Sequence, residues 1–196
     1  MSQDVTASDF PEVRWNGHWI WVPEDEIRLE AGLGIGGQQG PPEPSHGLFR
    51  KTFTLDSVPV RVPARVTADS RYVLYVNGQK MSRGPIRSQP RRMMYDLIDL
   101  APALVEGENV IAVYVKYYGG ANSFYMPPVP NSGLGRSGAL VFEADLGAAG
   151  WLVSDDTWKA SKSHAWDMES FEPSGPVGGG VPVEVLDGRQ LPMGWK

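Results

Sequence analysis

The residues best suited to catalysis in this sequence are paired carboxylates. Four pairs lie close together in the chain: Glu24/Glu26, Asp96/Asp99, Asp155/Asp156 and Asp167/Glu169. Two carboxyl groups about 5–9.5 Å apart can cleave a glycosidic bond, provided that one is buried enough to keep its proton near neutral pH. Asp155-Asp156-Thr157-Trp158 instead has the pattern of a solvated turn before a strand. The sequence therefore predicts no catalytic residue in this chain.

Motifs for nucleophilic or zinc chemistry are missing from the sequence. There is no cysteine, and the three histidines, His18, His46 and His164, lack zinc-ligand spacing. Neither a Gly-x-Ser-x-Gly elbow nor a P-loop is present. No cofactor is required by any motif. A structural calcium ion held by loop oxygens is compatible with a sandwich of this kind; Asp155, Asp156 and Asp167 could supply oxygens, but no spacing singles them out.

An arginine cluster offers a contact for anions. Its members are Arg83, Arg87, Arg91 and Arg92, around two prolines. Guanidinium groups bind carboxylates and phosphates through paired hydrogen bonds, so the cluster could hold an acidic sugar. The alternative, which surface charge runs favour, is a solvated hairpin or an interface with another domain.

The segment 117–125 combines rings and amides and is the predicted carbohydrate contact. A sugar stacks its C–H face on an aromatic ring, while its hydroxyls need polar partners. Tyr117, Tyr118, Asn122 and Tyr125 offer that mixture. The alternative is that these rings only cover an open end of the core, because aromatic side chains mostly serve packing.

The composition predicts a globular protein dominated by turns and strands. With 23 glycines and 17 prolines, long helices are disfavoured. The net charge of -5 predicts no broad basic surface for nucleic acid or an anionic membrane. No apolar run approaches the ~20 residues of a membrane span, and the N-terminus lacks a signal-peptide pattern. The location stays open between the bacterial cytoplasm and secretion with a signal removed.

Short alternating and apolar runs predict seven to nine strands, hence an all-β antiparallel β-sandwich or jelly roll. A flexible lead-in at 1–14 precedes a first strand at 15–22 that carries Trp19 and Trp21 on one face. A Gly/Pro loop at 32–47 follows. The further strands are predicted at 48–54, 60–68, 71–76, 79–82, 92–100, 110–115, 138–145 and 151–160, with a helical turn at 100–105. The run 110–115 is apolar on both faces and should be central.

Several polar residues are predicted to build turns rather than to bind ligand. Asn77-Gly78 after an aromatic and β-branched run is the strongest hairpin signal, because both residues accept positive φ. Asn109 is expected to cap or turn the chain. Asp69 and Asp96 are expected to bond loop backbone.

Three segments together resemble a known family. Trp19-Ile20-Trp21 precedes 49–53, then 68–78 with its Asn-Gly pair runs to Gly84-Pro85, and 95–96 leads to 107–113. This order resembles the N-terminal β-sandwich of bacterial α-L-rhamnosidases and related multidomain glycoside hydrolases. Some pieces also occur in galactose-binding-like domains. The end of the chain, 183–195, resembles the connection to a following β-domain in the same enzymes.

The resemblance implies a galactose-binding-like accessory domain at 15–182, without catalysis of its own. It would pack on the catalytic part of a glycoside hydrolase and contribute to weak recognition of a rhamnose- or galactose-type sugar. The catalytic acids would belong to a helical barrel outside this chain, and 183–196 would begin a linker or strand into the next domain. Two alternatives stay open: an autonomous carbohydrate-binding module, and a structural or adhesive interaction domain without a sugar site.

Overall fold

The computed structural model describes residues 13–25, 44–86, 93–117, 137–167 and 185–196. These residues form eleven strands: β1 (Ser45–Leu55), β2 (Pro63–Asp69), β3 (Arg71–Val76), β4 (Gln79–Gly84), β5 (Asp96–Asp99), β6 (Gly107–Tyr117), β7 (Ala139–Asp145), β8 (Trp151–Val153), β9 (Lys159–Lys162), β10 (Trp166–Asp167) and β11 (Val185–Leu186). Short 3-10 turns follow β5 and β7, and another follows β11. Within these ranges we find no helix that could span a bilayer by its length and apolar character.

Two antiparallel sheets pack face to face. The larger sheet has the order β4-β3-β6-β1-β9, and the smaller has the order β5-β2-β7-β8. A separate two-stranded ladder joins β10 to β11. This arrangement confirms the predicted all-β antiparallel sandwich, whereas its assignment to the galactose-binding-like type stays a prediction.

The core follows from strict alternation along the strands. Phe49, Leu74 and Val113 point inward from the larger sheet, and Val66 and Phe142 point inward from the smaller one. All five side chains are fully buried. Burial of such apolar surface contributes about 25 cal/mol per Å², so this layer holds the two sheets together. β6 lies in the middle of its sheet, as its apolar sequence predicted.

The Asn77-Gly78 turn is confirmed. It joins β3 to β4, with φ of 50° at Asn77 and 79° at Gly78. Two successive positive φ angles define the tight turn whose twist matches the flanking strands. The helical turn predicted at 100–105 is confirmed as the 3-10 turn Ala101–Ala103.

The N-terminal segment is not the strand that its alternation predicted. Only Ile20 makes an isolated bridge, to Leu140 of β7. The backbone N–H groups of Asn16 and Gly17 donate instead to the carboxylate of Glu143, at 2.6 and 3.3 Å. The segment therefore lies against β7 as a strap: the Asn16 and Gly17 donors are not available for strand pairing, whereas the His18 and Ile20 N–H groups bond the Ser154 and Leu140 carbonyls.

A buried carboxylate anchors this strap. Glu143 is fully buried, and it also accepts hydrogen bonds from the guanidinium group of Arg65 on β2. Arg65 lies 5.3 Å from the ring centroid of Trp15, which packs edge-on against Tyr95. Trp21 is buried in the core, whereas Trp19 is 40% exposed. The prediction that the two side chains lie on one face is therefore wrong.

Two strand boundaries also differ from the prediction. The loop predicted at 32–47 ends earlier, because β1 begins at Ser45. Gly47 is a strand residue, and a Cβ there would lie 2.7 Å from the Phe49 ring, so the glycine serves close packing and not a loop. The strand predicted at 92–100 is limited to β5.

The strand predicted at 151–160 is two strands in different sheets. β8 extends the smaller sheet and β9 extends the larger one. Between them the carboxylate of Asp155 accepts the Thr157 N–H at 3.0 Å and closes a turn. Trp158 then fills the core between the sheets. Asp155 and the exposed Asp156 therefore mark a turn, as the sequence predicted, but the turn separates two strands.

The segment predicted to lead out of the domain is attached to it from β11 onward. β11 pairs with β10, and the Asp187 N–H donates to the Ala165 carbonyl at 2.7 Å. Trp195 is half-buried and packs edge-on against Tyr75 of β3, with ring centroids 5.8 Å apart. Trp195 is therefore partly covered by the sandwich itself.

Candidate carbohydrate-binding site

The predicted sugar-binding segment is attached to one end of the sandwich. Tyr117 ends β6, and Ser137 and Gly138 precede β7. Asp69, the last residue of β2, is in register with Ala139. The next N–H, of Ser70, donates to the Lys116 carbonyl at 3.0 Å. These residues meet at one end of the sandwich, which we call the Asp69 end.

Of the predicted sugar contacts, the structure describes Tyr117 alone. Its side chain is 1% exposed, and its ring packs edge-on against Trp21 at 6.2 Å. Tyr117 therefore covers the end of the core, which is the packing alternative, and is not accessible to a sugar. Tyr118, Asn122 and Tyr125 lie outside the described residues, so their role stays a prediction.

The predicted arginine cluster is described only at Arg83. This residue lies on the edge strand β4, opposite Val73, and is exposed. Arg87, Arg91 and Arg92 lie outside the described residues. The anion contact therefore stays a prediction, with Arg83 placed on the solvent side of the larger sheet.

Asp69 has a role different from the predicted loop contact. Its side chain is fully buried, and its Oδ1 accepts the Ser70 hydroxyl at 2.9 Å. Its Oδ2 has no donor among the described residues. Burial raises the pKa of the Asp69 carboxyl to about 6, although the hydrogen bond from Ser70 acts in the opposite direction. Asp69 is thus a buried acid at the end where sugar binding is predicted.

This carboxyl should make stability depend on pH. Because its pKa is higher in the folded state, the folded protein holds the proton more tightly, and stability falls as pH rises from about 4 to 6. Asp69→Asn cannot ionise. We therefore expect the variant to gain about 2 kcal/mol relative to the parent chain between pH 4 and pH 7. Urea unfolding at both pH values measures this change, and parallel pH profiles would contradict it.

Asp96 also departs from its predicted role. It faces the core side of β5, in register with Val66, and accepts the hydroxyl hydrogen bond of Tyr72 from the opposite sheet. Burial, helped by the neighbouring Asp96 carboxylate, raises the pKa of Tyr72. Gly84 lies against the same carboxylate, where a Cβ would collide with it. This contact ties the two open sheet edges, β4 and β5, together.

The carboxylate pairs proposed from spacing do not form acid–base pairs where the structure describes both members. Asp99 lies on the other face of β5 from Asp96, and accepts N–H donors from Val62 and Ala101 at 2.9 and 3.1 Å. Asp155 is engaged in its turn. Glu26 and Glu169 lie outside the described residues.

The predicted calcium ligands have no common site among the described residues. No three His, Asp or Glu side chains there are placed to hold a metal ion. The Asp155 carboxylate accepts both the N–H and the hydroxyl of Thr157, which occupies one of its oxygens. Calcium binding therefore stays a prediction without support from the geometry.

The two asparagines of the resemblance motifs bind each other. Asn77 Nδ2 donates to Asn109 Oδ1 at 2.8 Å and to the Ala103 carbonyl at 2.9 Å. Asn77 Oδ1 accepts the Val110 N–H at 2.8 Å. Asn109, fully buried, also bonds Val105 and Gly107. The motifs therefore form a structural clamp at the end opposite Asp69, in agreement with the prediction that they build turns.

Comparison with known proteins places this sandwich among enzyme domains. No protein-family model and no curated protein matches the chain. Among solved structures, it is similar to the GH78-family rhamnosidase of Bacillus sp. GL1, with 32% identity and a TM-score of 0.59. It is also similar to the α-L-rhamnosidase of Dictyoglumus thermophilum, with 21% identity and a TM-score of 0.63, which supports the fold alone.

The matches cover most of this chain but a small part of each enzyme. They span 79% of this chain and 14% of the Bacillus enzyme, and 92% and 19% for the Dictyoglumus enzyme. The predicted resemblance to a domain of α-L-rhamnosidases is therefore confirmed. A Pleurotus ostreatus lectin matches 74% of the chain at a TM-score of 0.48, which is too distant to support an inference.

Proposed function

We propose that this chain is a non-catalytic accessory domain of an α-L-rhamnosidase-like glycoside hydrolase. In that setting it packs on the catalytic part and contributes to sugar recognition. The observation that supports this most is the match to the Bacillus rhamnosidase, at 32% identity over 79% of this chain but 14% of that enzyme. A segment of that share has the size of one domain within a larger enzyme.

The roles of four described carboxylates support a non-catalytic domain. Glu143 anchors the N-terminal strap, Asp96 ties two sheet edges, and Asp99 and Asp155 close turns. A catalytic acid must be within hydrogen-bond reach of a substrate. These carboxylates are engaged with the protein's own donors, so they are poorly suited to proton transfer.

Exposed apolar side chains near the end of the chain support packing against another domain. Val185 and Leu186 are 47% and 45% exposed, and Met193 is fully exposed. Large apolar side chains left exposed in this way can be covered by a second domain. A structural or adhesive domain without a sugar site would use the same surface, so sugar binding distinguishes the two functions.

Within the proposed function, the sugar contact is assigned to Tyr118, Asn122 and Tyr125, with weak affinity for a rhamnose- or galactose-type sugar. Rigid flanking residues support this choice. Tyr117 is fixed in the core, and Gly138 lies against the Trp21 ring so closely that a Cβ would collide with it. Binding residues commonly lie on loops carried by such rigid scaffolds.

A domain exchange tests the accessory role. The matched segment of the Bacillus rhamnosidase is replaced by this chain, and a second enzyme simply lacks that segment. We expect the exchanged enzyme to hydrolyse an aryl α-L-rhamnoside faster than the deleted one, because the sandwich restores the packing surface. Equal rates and equal thermal stability in the two enzymes would contradict the accessory role.

A further inference from the structure

Most of the charged side chains on the five strands of the larger sheet lie on its outer face. In one row across the sheet, the register places Lys80, Tyr75, Ala112, Arg50 and Lys159 side by side. The adjacent core residues Leu74, Ile111 and Phe49 alternate with them and point inward. This row therefore faces away from the core, with cations at both edges and near the middle.

The neighbouring rows continue the same pattern. The next row contains Arg83 and Tyr114, and the one after it contains Arg71 beside Lys116. The outer sheet face, as we call it, thus bears six cations: Arg50, Arg71, Lys80, Arg83, Lys116 and Lys159. The five strands contain one acidic residue, Glu108, at the far end beside Thr54.

The net charge of the chain does not reveal this concentration of cations on one face. The whole chain has 23 acidic and 18 basic residues, so an even distribution would leave any face acidic. The expectation of no broad basic surface rested on net charge alone, which does not reveal how strands distant in sequence bring their cations together. Clustered charge of one sign raises the local concentration of an oppositely charged ligand.

Two buried donors on this face have no acceptor among the described residues. They are the Nε of Arg50 and the Nε1 of Trp166. Trp166 lies over the face, stacked on His46 with ring centroids 4.9 Å apart and on Tyr114 at 5.8 Å. Buried donors are nearly always paired in native proteins, since an unpaired donor is costly. These two unsatisfied donors belong to the same face as the cations.

Aromatic rings accompany the cations. Tyr75 packs against Trp195, and the Lys196 ammonium lies 4.9 Å from the Tyr75 ring centroid. Lys116 is placed 5.9 Å from the Trp166 ring centroid. Rings beside cations suit a ligand with flat apolar faces and carboxylates. The alternative ligand is an acidic protein, and a stable protein interface needs exposed apolar residues at its centre. The apolar residues Ala112 and Leu48 of this face are already buried, so the face does not offer such a centre.

We propose that the outer sheet face binds an acidic oligosaccharide through the carboxylates of its uronic acid residues. Arginines hold carboxylates in paired hydrogen bonds, lysines add point charges, and the rings carry the sugar faces. The inference rests on the proposed function, because it names a ligand class for the accessory domain. It assigns a site on the outer sheet face, which meets the Asp69 end at Lys116.

The test compares an oligogalacturonate with its fully methyl-esterified counterpart. Five strands about 4.8 Å apart span about 19 Å, so the oligosaccharide should be at least that long. We expect the acid to bind this chain at least about tenfold more tightly than the ester, and its affinity to fall as salt increases. Amide shifts in an NMR titration should map to β1, β3, β4 and β6.

Matched single-charge variants locate the site. Arg83→Gln and Lys159→Gln remove exposed cations at opposite edges of the sheet, and Arg61→Gln removes an exposed cation in the β1–β2 connection. We expect each of the first two to weaken oligogalacturonate binding about fivefold and the third to leave it unchanged. All three residues are exposed, so folding should be unaffected.

Three results would overturn the inference: equal binding of acid and ester, equal effects of all three variants, or equally tight binding of a single-stranded oligonucleotide of the same charge. The last would show attraction for any polyanion. The domain exchange described above is independent of these charges. If the exchanged enzyme is active and oligogalacturonate does not bind, only this inference fails; if the exchange fails while oligogalacturonate binds, the accessory role fails.

Discussion

Replacing Glu143 by alanine is expected to lower the free energy of unfolding by about 3 kcal/mol. The side chain is fully buried and accepts from the N–H groups of Asn16 and Gly17 and from the Arg65 guanidinium. Its removal leaves these donors without an acceptor, and Arg65, whose side chain is 25% exposed, keeps only part of its solvation. Chemical denaturation measures the loss.

A matched substitution isolates the cause. Glu108→Ala removes an exposed carboxylate from β6 and should change stability by less than about 0.5 kcal/mol. Hydrogen exchange adds a local readout, because the Asn16 and Gly17 amides should lose protection in the Glu143 variant. If both variants cost the same, or if those amides stay protected, the strap is not held by Glu143.

Asn109→Ala is expected to cost about 3 kcal/mol. The buried amide takes part in four hydrogen bonds, to Asn77, to both backbone groups of Val105 and to the Gly107 carbonyl. Each net hydrogen bond is worth about 1 kcal/mol, and the buried partners left behind add a desolvation cost. The turn between β3 and β4 would lose one of its links to β6 and keep the two bonds between Asn77 and Val110.

The control is another asparagine. Asn16 is exposed, and its backbone makes the contact with Glu143, so Asn16→Ala should be nearly neutral. Comparison of the two unfolding midpoints decides the question. A small cost for Asn109→Ala, close to that of Asn16→Ala, would mean that water replaces the amide and that the clamp adds little.

Local chemistry explains what the sequence could predict. Asn77-Gly78 signals its turn through two residues that tolerate positive φ, and β6 signals its central place through apolar residues on both faces. Both signals depend on neighbours in the chain. The bond between Asn77 and Asn109 joins residues 32 apart, and no local pattern reveals it.

The strand predictions failed where a side-chain carboxylate, and not the backbone of a neighbouring strand, accepts the backbone N–H groups. Alternation around Trp19 predicted a strand, but the Glu143 carboxylate takes the N–H groups that a strand would need. A signal was present, since Glu143 is the one charged residue in the otherwise apolar run Ala139–Ala144 of β7. Asp155 likewise divides one predicted strand into two by closing a turn.

The candidate sites show the same limit. The ring-and-amide pattern at 117–125 was visible in sequence, but the burial of Tyr117 depends on Trp21, almost a hundred residues earlier. The cations of the outer sheet face come from five strands and meet only through their register. Net charge alone could not predict that face.

The most direct test of the central claim is a titration of this chain with L-rhamnose, followed by NMR, with an aryl α-L-rhamnoside added afterwards to the same sample. An accessory domain that recognises sugar without cleaving it predicts saturable, weak amide shifts with L-rhamnose and no release of the aryl group. Release of the aryl group, abolished by one carboxylate substitution, would contradict the non-catalytic assignment. The absence of any shift with L-rhamnose or galactose would contradict sugar recognition and favour a purely structural domain.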